Sequence, residues 1–191
     1  MKIILASQSP RRKELLGLMG LTFDVLPSSA EEDMKQNLSV NKLSEILSEQ
    51  KAKDVFNKTS GNRVVIGSDC MVYANGKIFG KPKDDNDAVN MLKVLSDKWH
   101  KVVTGLCVIV EKDGVVTKYC THDVTKVKFV KLTDDMIKNY LKTGEHKDKA
   151  GAYAVQGYSG VFVEKLKGNY STVIGLPTHK LFQILHKENL I

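Results

Sequence analysis

The sequence predicts an α/β fold built on a mixed β-sheet, and three observations carry that reading. Apolar, β-branched runs alternate with amphipathic stretches along all 191 residues, as expected for strands covered by helices. The dipeptides Asn75-Gly76 and Asp113-Gly114 each separate two apolar runs, which marks antiparallel hairpins. Those hairpins are long, which argues against a purely parallel, doubly wound sheet. No repeat or low-complexity linker appears, so residues 1–191 are expected to form a single domain.

Taken in order, Ile3-Ile4-Leu5-Ala6 reads as a buried strand. A helix follows from Pro10 to Met19, with Ser9 as its cap, Pro10 at its first position and Gly20 as its stop. Residues 22–26 form a short strand that leads into a polar loop over 27–36. Residues 39–56 form a second helix whose apolar stripe is Val40, Leu43, Leu47 and Val55. Lys51 falls on that stripe, one helical repeat from both Leu47 and Val55. The run from Val64 to Tyr73 is a strand interrupted by Gly67-Ser68-Asp69, and it returns through residues 77–82. Asp84 or Asp85 caps a helix running to Leu95. Strands near 101–111 and 115–130 follow, and Thr133 caps a helix that ends at Gly144. Residues 148–158 form a loop rich in glycine and alanine. Strands near 160–166 and 170–174 and a helix after Pro177 complete the chain.

Composition narrows the functional classes. Hydrophobic residues make up 42% and charged residues 27%, a soluble globular balance. Neither a signal peptide nor a membrane-length apolar run is visible, so a cytoplasmic protein without a membrane partner is expected. The net charge of +7 points to polyanionic partners. The cations are dispersed and lack interleaved aromatics, which argues against nucleic acid. Cys70, Cys107 and Cys120 are odd in number and form no C-x-x-C pair. They read as reduced, mostly buried thiols rather than a disulfide framework or a zinc site.

Chemistry concentrates in a few places. Arg11, Arg12 and Lys13 lie in a first helical turn, where the helix dipole disfavours cations. Either they point into solvent, or an anion such as phosphate sits on the free N–H groups and guanidinium forks. Asp69, inside an otherwise apolar strand, requires a cation, a metal or a strand end open to solvent. A simple two-residue loop at Asn75-Gly76 would set Tyr73 against Ile78 and Cys70 against Lys81, bringing Lys81 within one residue of Asp69. Lys51 fits a snorkelling lysine at the rim or one cation of a phosphate site. Glu31, Glu32 and Asp33 read as solvated surface, or as donors for Mg²⁺, which takes one or two carboxylates plus phosphate oxygens.

Several motifs together resemble the Maf family of nucleotide pyrophosphatases. They are Ser7-Gln8-Ser9-Pro10-Arg11-Arg12 with Glu14-Leu15-Leu16, Gly67-Ser68-Asp69, Gly80-Lys81-Pro82, Thr104-Gly105, the loop from Asp148 to Gly157, and Gly168-Asn169-Tyr170 leading to Val173-Ile174-Gly175-Leu176-Pro177. The resemblance implies an elongated, twisted mixed sheet flanked by helices around a central cleft, a Maf/ITPase-like architecture, often dimeric. It implies cleavage of nucleoside triphosphates between the α and β phosphates with a divalent cation, Mg²⁺ or Mn²⁺. In that reading Asp69 is the proton acceptor and a metal contact, and Glu32 is a metal ligand. Ser7, Arg12, Lys51 and Lys81 hold the triphosphate. The dTTP/UTP branch is marked by an arginine at position 11, a threonine at 70 and a glutamine at 156; this chain has Arg11 and Gln156 but Cys70. The alternatives are a paralogue preferring 7-methyl-GTP or CTP, and a non-catalytic nucleotide- or nucleic-acid-binding regulator of septum formation.

Overall fold

The computed structural model describes residues 1–31 and 38–191. Strands β1 (Lys2–Leu5), β2 (Asp24–Val25), β3 (Arg63–Ala74), β4 (Lys77–Phe79), β5 (Trp99–Lys112), β6 (Val115–Phe129) and β7 (Val163–Lys167) form one seven-stranded sheet. Its order is β2-β1-β3-β5-β6-β7, with β4 paired to β3 off that path. β1 runs parallel to both β2 and β3, whereas β4 joins β3 and β7 joins β6 antiparallel. The mixed sheet expected from the hairpins is therefore present. Its helices are α1 (Pro10–Leu18), α2 (Val40–Asn57), α3 (Asp85–Leu95), α4 (Asp134–Leu141), α5 (Tyr170–Ile174) and α6 (Thr178–Lys187).

By its contacts the chain divides into two compact units. The first holds Met1–Asp69, Thr104–Asp123 and Gly175–Ile191; the second holds Cys70–Val103 and Val124–Ile174. The first unit packs Ile4, Ala6, Ala52, Val55, Val65, Cys107 and Ile109 into one cluster. The second is centred on aromatic rings: Phe129 meets Tyr153 edge to face at 4.7 Å, and Tyr140 meets Phe162 at 5.3 Å. Such geometries add to the stabilisation from burial alone.

Within the first unit, α2 lies directly on the sheet. A Cβ on Gly67 would stand 2.3 Å from the Ser48 carbonyl oxygen, and one on Gly105 only 2.0 Å from that of Ser44. Only glycine lets the two backbones approach so closely. The face of α2 that meets them is made of small residues: Ser44, Ser48 and Ala52 are all buried.

Three expectations need correction. The stretch Tyr170–Ile174 is helix α5 rather than a strand, although its Thr-Val-Ile ending favours strand. Thr125 holds this segment through its hydroxyl, which donates to the Asn169 carbonyl and accepts from the Asn169 N–H. Cys107 and Cys120 are not free thiols but a disulfide. The hairpin centred on Asp113-Gly114, both at positive φ, places each cysteine six residues from the turn on neighbouring strands. Finally, the Asn75-Gly76 hairpin pairs Tyr73 with Ile78 as expected, but β4 stops at Phe79. Lys81 therefore lies outside that ladder, and the Gly80 carbonyl accepts from Gly151 N–H instead.

Candidate functional site

In the first unit the turn from β1 into α1 is the starting point. Ser9 is the N-cap of α1, but its side chain makes no capping hydrogen bond, and no acidic residue lies in the first turn. The hydroxyl of Ser7, a buried residue, accepts from Ser9 N–H and from Arg12 Nη1 at 2.9 Å. Arg12 Nε donates to the Gly175 carbonyl at 2.8 Å. That carbonyl and the one of Gly105 flank the buried Ser68 hydroxyl at 2.9 and 2.8 Å. Ser68 thus ties β3 to β5 and to the segment after α5, a role that the sequence did not reveal. Arg11 follows Pro10 in the first turn of the same helix.

Two turns of α2 beyond Ser44, Lys51 reaches the strand carboxylate. Its Nζ stands 2.5 Å from Asp69 Oδ1, and the two side chains are only 14% and 10% exposed. The lysine on the apolar stripe does not snorkel to the rim; it is the cation that the buried aspartate requires. Gly67 and Gly105 set this pair, because they fix how closely α2 approaches β3. Asp69 is buried as a residue, and the described residues engage only its Oδ1.

The second unit holds Cys70, Lys81 and Gln156. Cys70, the cysteine outside the disulfide, is half-buried, with its Sγ 4.0 Å from the Thr172 carbonyl. Lys81 is exposed, and its Nζ lies 3.7 Å from Asp148 Oδ1. Gln156 rides on a loop of three short 3-10 turns, Glu145–Asp148, Ala150–Ala152 and Tyr158–Phe162. Gly151 takes φ +68 there, and a Cβ on it would press within about 3 Å of the Val72 side chain. Glu145 clamps the far end. Its carboxylate accepts from Tyr158 N–H at 2.7 Å and from the Ser159 hydroxyl at 2.8 Å. Burial would raise the Glu145 pKa, but the hydrogen bonds from Ser159 and Tyr158 outweigh it and hold the group below the usual glutamate value. Burial, with a smaller contribution from Cys70, pushes the Tyr153 hydroxyl well above the ordinary tyrosine range.

The expected metal ligand Glu32 lies outside the described residues. Among the described residues, no group of three or more His, Cys, Asp or Glu side chains converges as a metal site. A hard cation such as Mg²⁺ needs less: one or two carboxylates suffice when phosphate oxygens supply the rest. Asp69 fits that demand through Oδ2.

A mixed sheet carrying a cation-rich helix start and a buried lysine–aspartate pair defines an α/β protein. Its fold is similar to that of a HAM1 protein from Coxiella burnetii, with a TM-score of 0.52 at 14% identity over 98% of this chain and 99% of that one. The chain belongs to the Maf family: the family model described as "Maf-like protein" matches residues 2–188. Among its relatives is a protein named dTTP/UTP pyrophosphatase from Aquifex aeolicus, 46% identical over 100% of this chain and 97% of its own length. Another of the same name, from Ruminiclostridium cellulolyticum, is 45% identical over 98% and 96%.

Proposed function

We propose that the protein hydrolyses dTTP and UTP to the nucleoside monophosphate and pyrophosphate, with Asp69 as general base. Its family and its identity to named dTTP/UTP pyrophosphatases make it a nucleoside triphosphate pyrophosphatase. The observation that carries the residue roles is the buried Lys51–Asp69 pair. A carboxylate held by a lysine, with one oxygen left over, can orient and deprotonate an attacking water. Ser7, Arg12, Lys51 and Lys81 hold the triphosphate and offset the charge that develops on it. The uncapped start of α1 adds N–H donors for a phosphate. Gln156 offers one acceptor and two donors for a pyrimidine edge, and Arg11 and Cys70 tune which nucleotide is accepted.

A divalent cation, Mg²⁺ or Mn²⁺, would be held by Asp69 with Glu32 and would supply charge neutralisation on the phosphates. We further assign a cytoplasmic location and a homodimer to this reading; sedimentation of the pure protein tests the latter. No helix among the described residues is long and apolar enough to cross a membrane.

The decisive assay incubates the protein with a nucleotide panel and Mg²⁺ or Mn²⁺, resolving pyrophosphate from orthophosphate. Pyrophosphate from dTTP and UTP is expected, with loss of turnover on chelation. Orthophosphate as first product would sink the α–β cleavage. Faster turnover of CTP or 7-methyl-GTP would reassign the substrate. Absence of turnover with every nucleotide would leave a binding protein.

A further inference from the structure

The second unit contains a cavity of about 510 Å³ that uses none of the residues given a role above. Its walls include Tyr73 from β3, Trp99, His100 and Lys101 from β5, Lys126 from β6 and Lys167 from β7. Trp99, Lys101 and Lys126 are exposed, whereas the intervening His100, Thr125 and Val127 are buried. That is the alternation of strands with one covered and one open face. The volume lies within the range of small-molecule sites.

The charges on this face are unbalanced in a telling way. Lys126 stands directly opposite Lys167 in the β6–β7 ladder, and Lys128 stands opposite Lys165. Like charges facing each other across strands are destabilising. The second pair is neutralised: Lys128 Nζ is 2.8 Å from Glu164 and 3.8 Å from Asp97, and Lys165 is 3.4 Å from Glu164. Among the described residues, no carboxylate forms an ion pair with Lys126, Lys167 or Lys101. Three lysines therefore border one cavity without a counter-charge from the described fold. Beside them Trp99 leaves 47% of its surface exposed, and the half-buried Tyr73 supplies a second ring. An open indole beside uncompensated cations matches a ligand with a flat aromatic ring and a phosphate.

We infer that this cavity is a second binding site for a nucleoside monophosphate, with the base on Trp99 and the phosphate on Lys101, Lys126 and Lys167. The ligand is a free nucleotide: a space of about 510 Å³ is of small-molecule size. The inference does not depend on the catalytic reading.

Trp99 is the protein's sole tryptophan, so its emission reports on this cavity. Titration of the intact protein with uridine monophosphate is expected to quench it saturably, while uridine alone and inorganic phosphate alone act far more weakly. Lys126→Ala with Lys167→Ala should weaken the quenching at least about tenfold and leave UTP turnover unchanged. Lys51→Ala should leave the quenching intact. If the double variant fails to fold by circular dichroism, Lys101→Ala serves the same comparison. The site is overturned if uridine monophosphate gives no saturable quenching, or if the lysine variants quench like the parent. It is equally overturned if Lys51→Ala abolishes the effect. Quenching by oligo(dT) without quenching by the mononucleotide would reassign the cavity to single-stranded nucleic acid.

Discussion

Asp69 and Lys51 would each be costly to bury alone, and removing one partner strands the other. Asp69→Asn should therefore act mainly on chemistry, since an amide keeps the shape and a hydrogen bond. Its kcat should fall on the order of 10²–10⁴-fold, and turnover close to the parent would remove Asp69 as the base. Lys51→Met leaves a lone carboxylate beside an apolar chain and should cost roughly 3 kcal/mol of stability, read as a drop in the urea midpoint. Cys70→Thr restores a good hydroxyl donor where a thiol is weak. It should raise kcat/KM for dTTP and UTP relative to CTP; an unchanged ratio would show that position 70 does not contact substrate. Some of this scale is readable in the chain itself. A lysine on an apolar stripe and an aspartate inside an apolar strand each ask for the other. Cys107 with Cys120 was equally readable by counting outward from Asp113-Gly114, but spacing rules that look for C-x-x-C pass over cross-strand pairs.

Helices and hairpins with strong local chemistry lie where the sequence places them. Ser39, Asp84 and Thr133 each cap a helix through the side chain, and Asn75-Gly76 turns at positive φ in both residues. What escaped is what depends on distant partners. α5 is too short for a periodicity to emerge, and its hold through Thr125 comes from another strand. The Ser68 hydroxyl matters because Gly105 and Gly175 lie beside it, and no local pattern announces that. Gly67 and Gly105 look like ordinary strand interruptions until α2 is laid across them. Gly67→Ala is expected to destabilise the protein by about 1–3 kcal/mol or more and to lower kcat, because α2 must lift and carry Lys51 away from Asp69. Unaltered stability and rate would mean that the contact is looser than it stands. Glu145→Gln tests the other loop anchor. Loss of the carboxylate that holds Tyr158 and Ser159 should raise KM more than it lowers kcat, if the loop serves binding through Gln156.

For the molecule as a whole, acid is the informative perturbation. Burial pushes the His100 imidazole down to about 4 from 6.5, only partly opposed by the nearby Lys98 backbone. The unfolded chain thus binds a proton on His100 more readily than the folded one between those two values. Stability from this group is complete above about pH 6.5, declines as pH falls towards 4, and is constant below that. The full loss is on the order of 3 kcal/mol. Glu145, with its folded pKa lowered, adds a decline in the same direction below the usual glutamate range. Urea midpoints measured from pH 7.5 to 4 should fall accordingly, and His100→Gln, which can still meet the Tyr153 hydroxyl, should flatten the upper part of that slope. The order of synthesis matters at this scale too. The carbonyl that receives Arg12 belongs to Gly175, 163 residues later, and the first unit includes everything from Gly175 to Ile191. The second unit has all its residues once Ile174 has left the ribosome. The first must wait for the stretch that begins at Gly175, so a nascent chain carries the turn that Arg12 braces unassembled until that stretch has emerged.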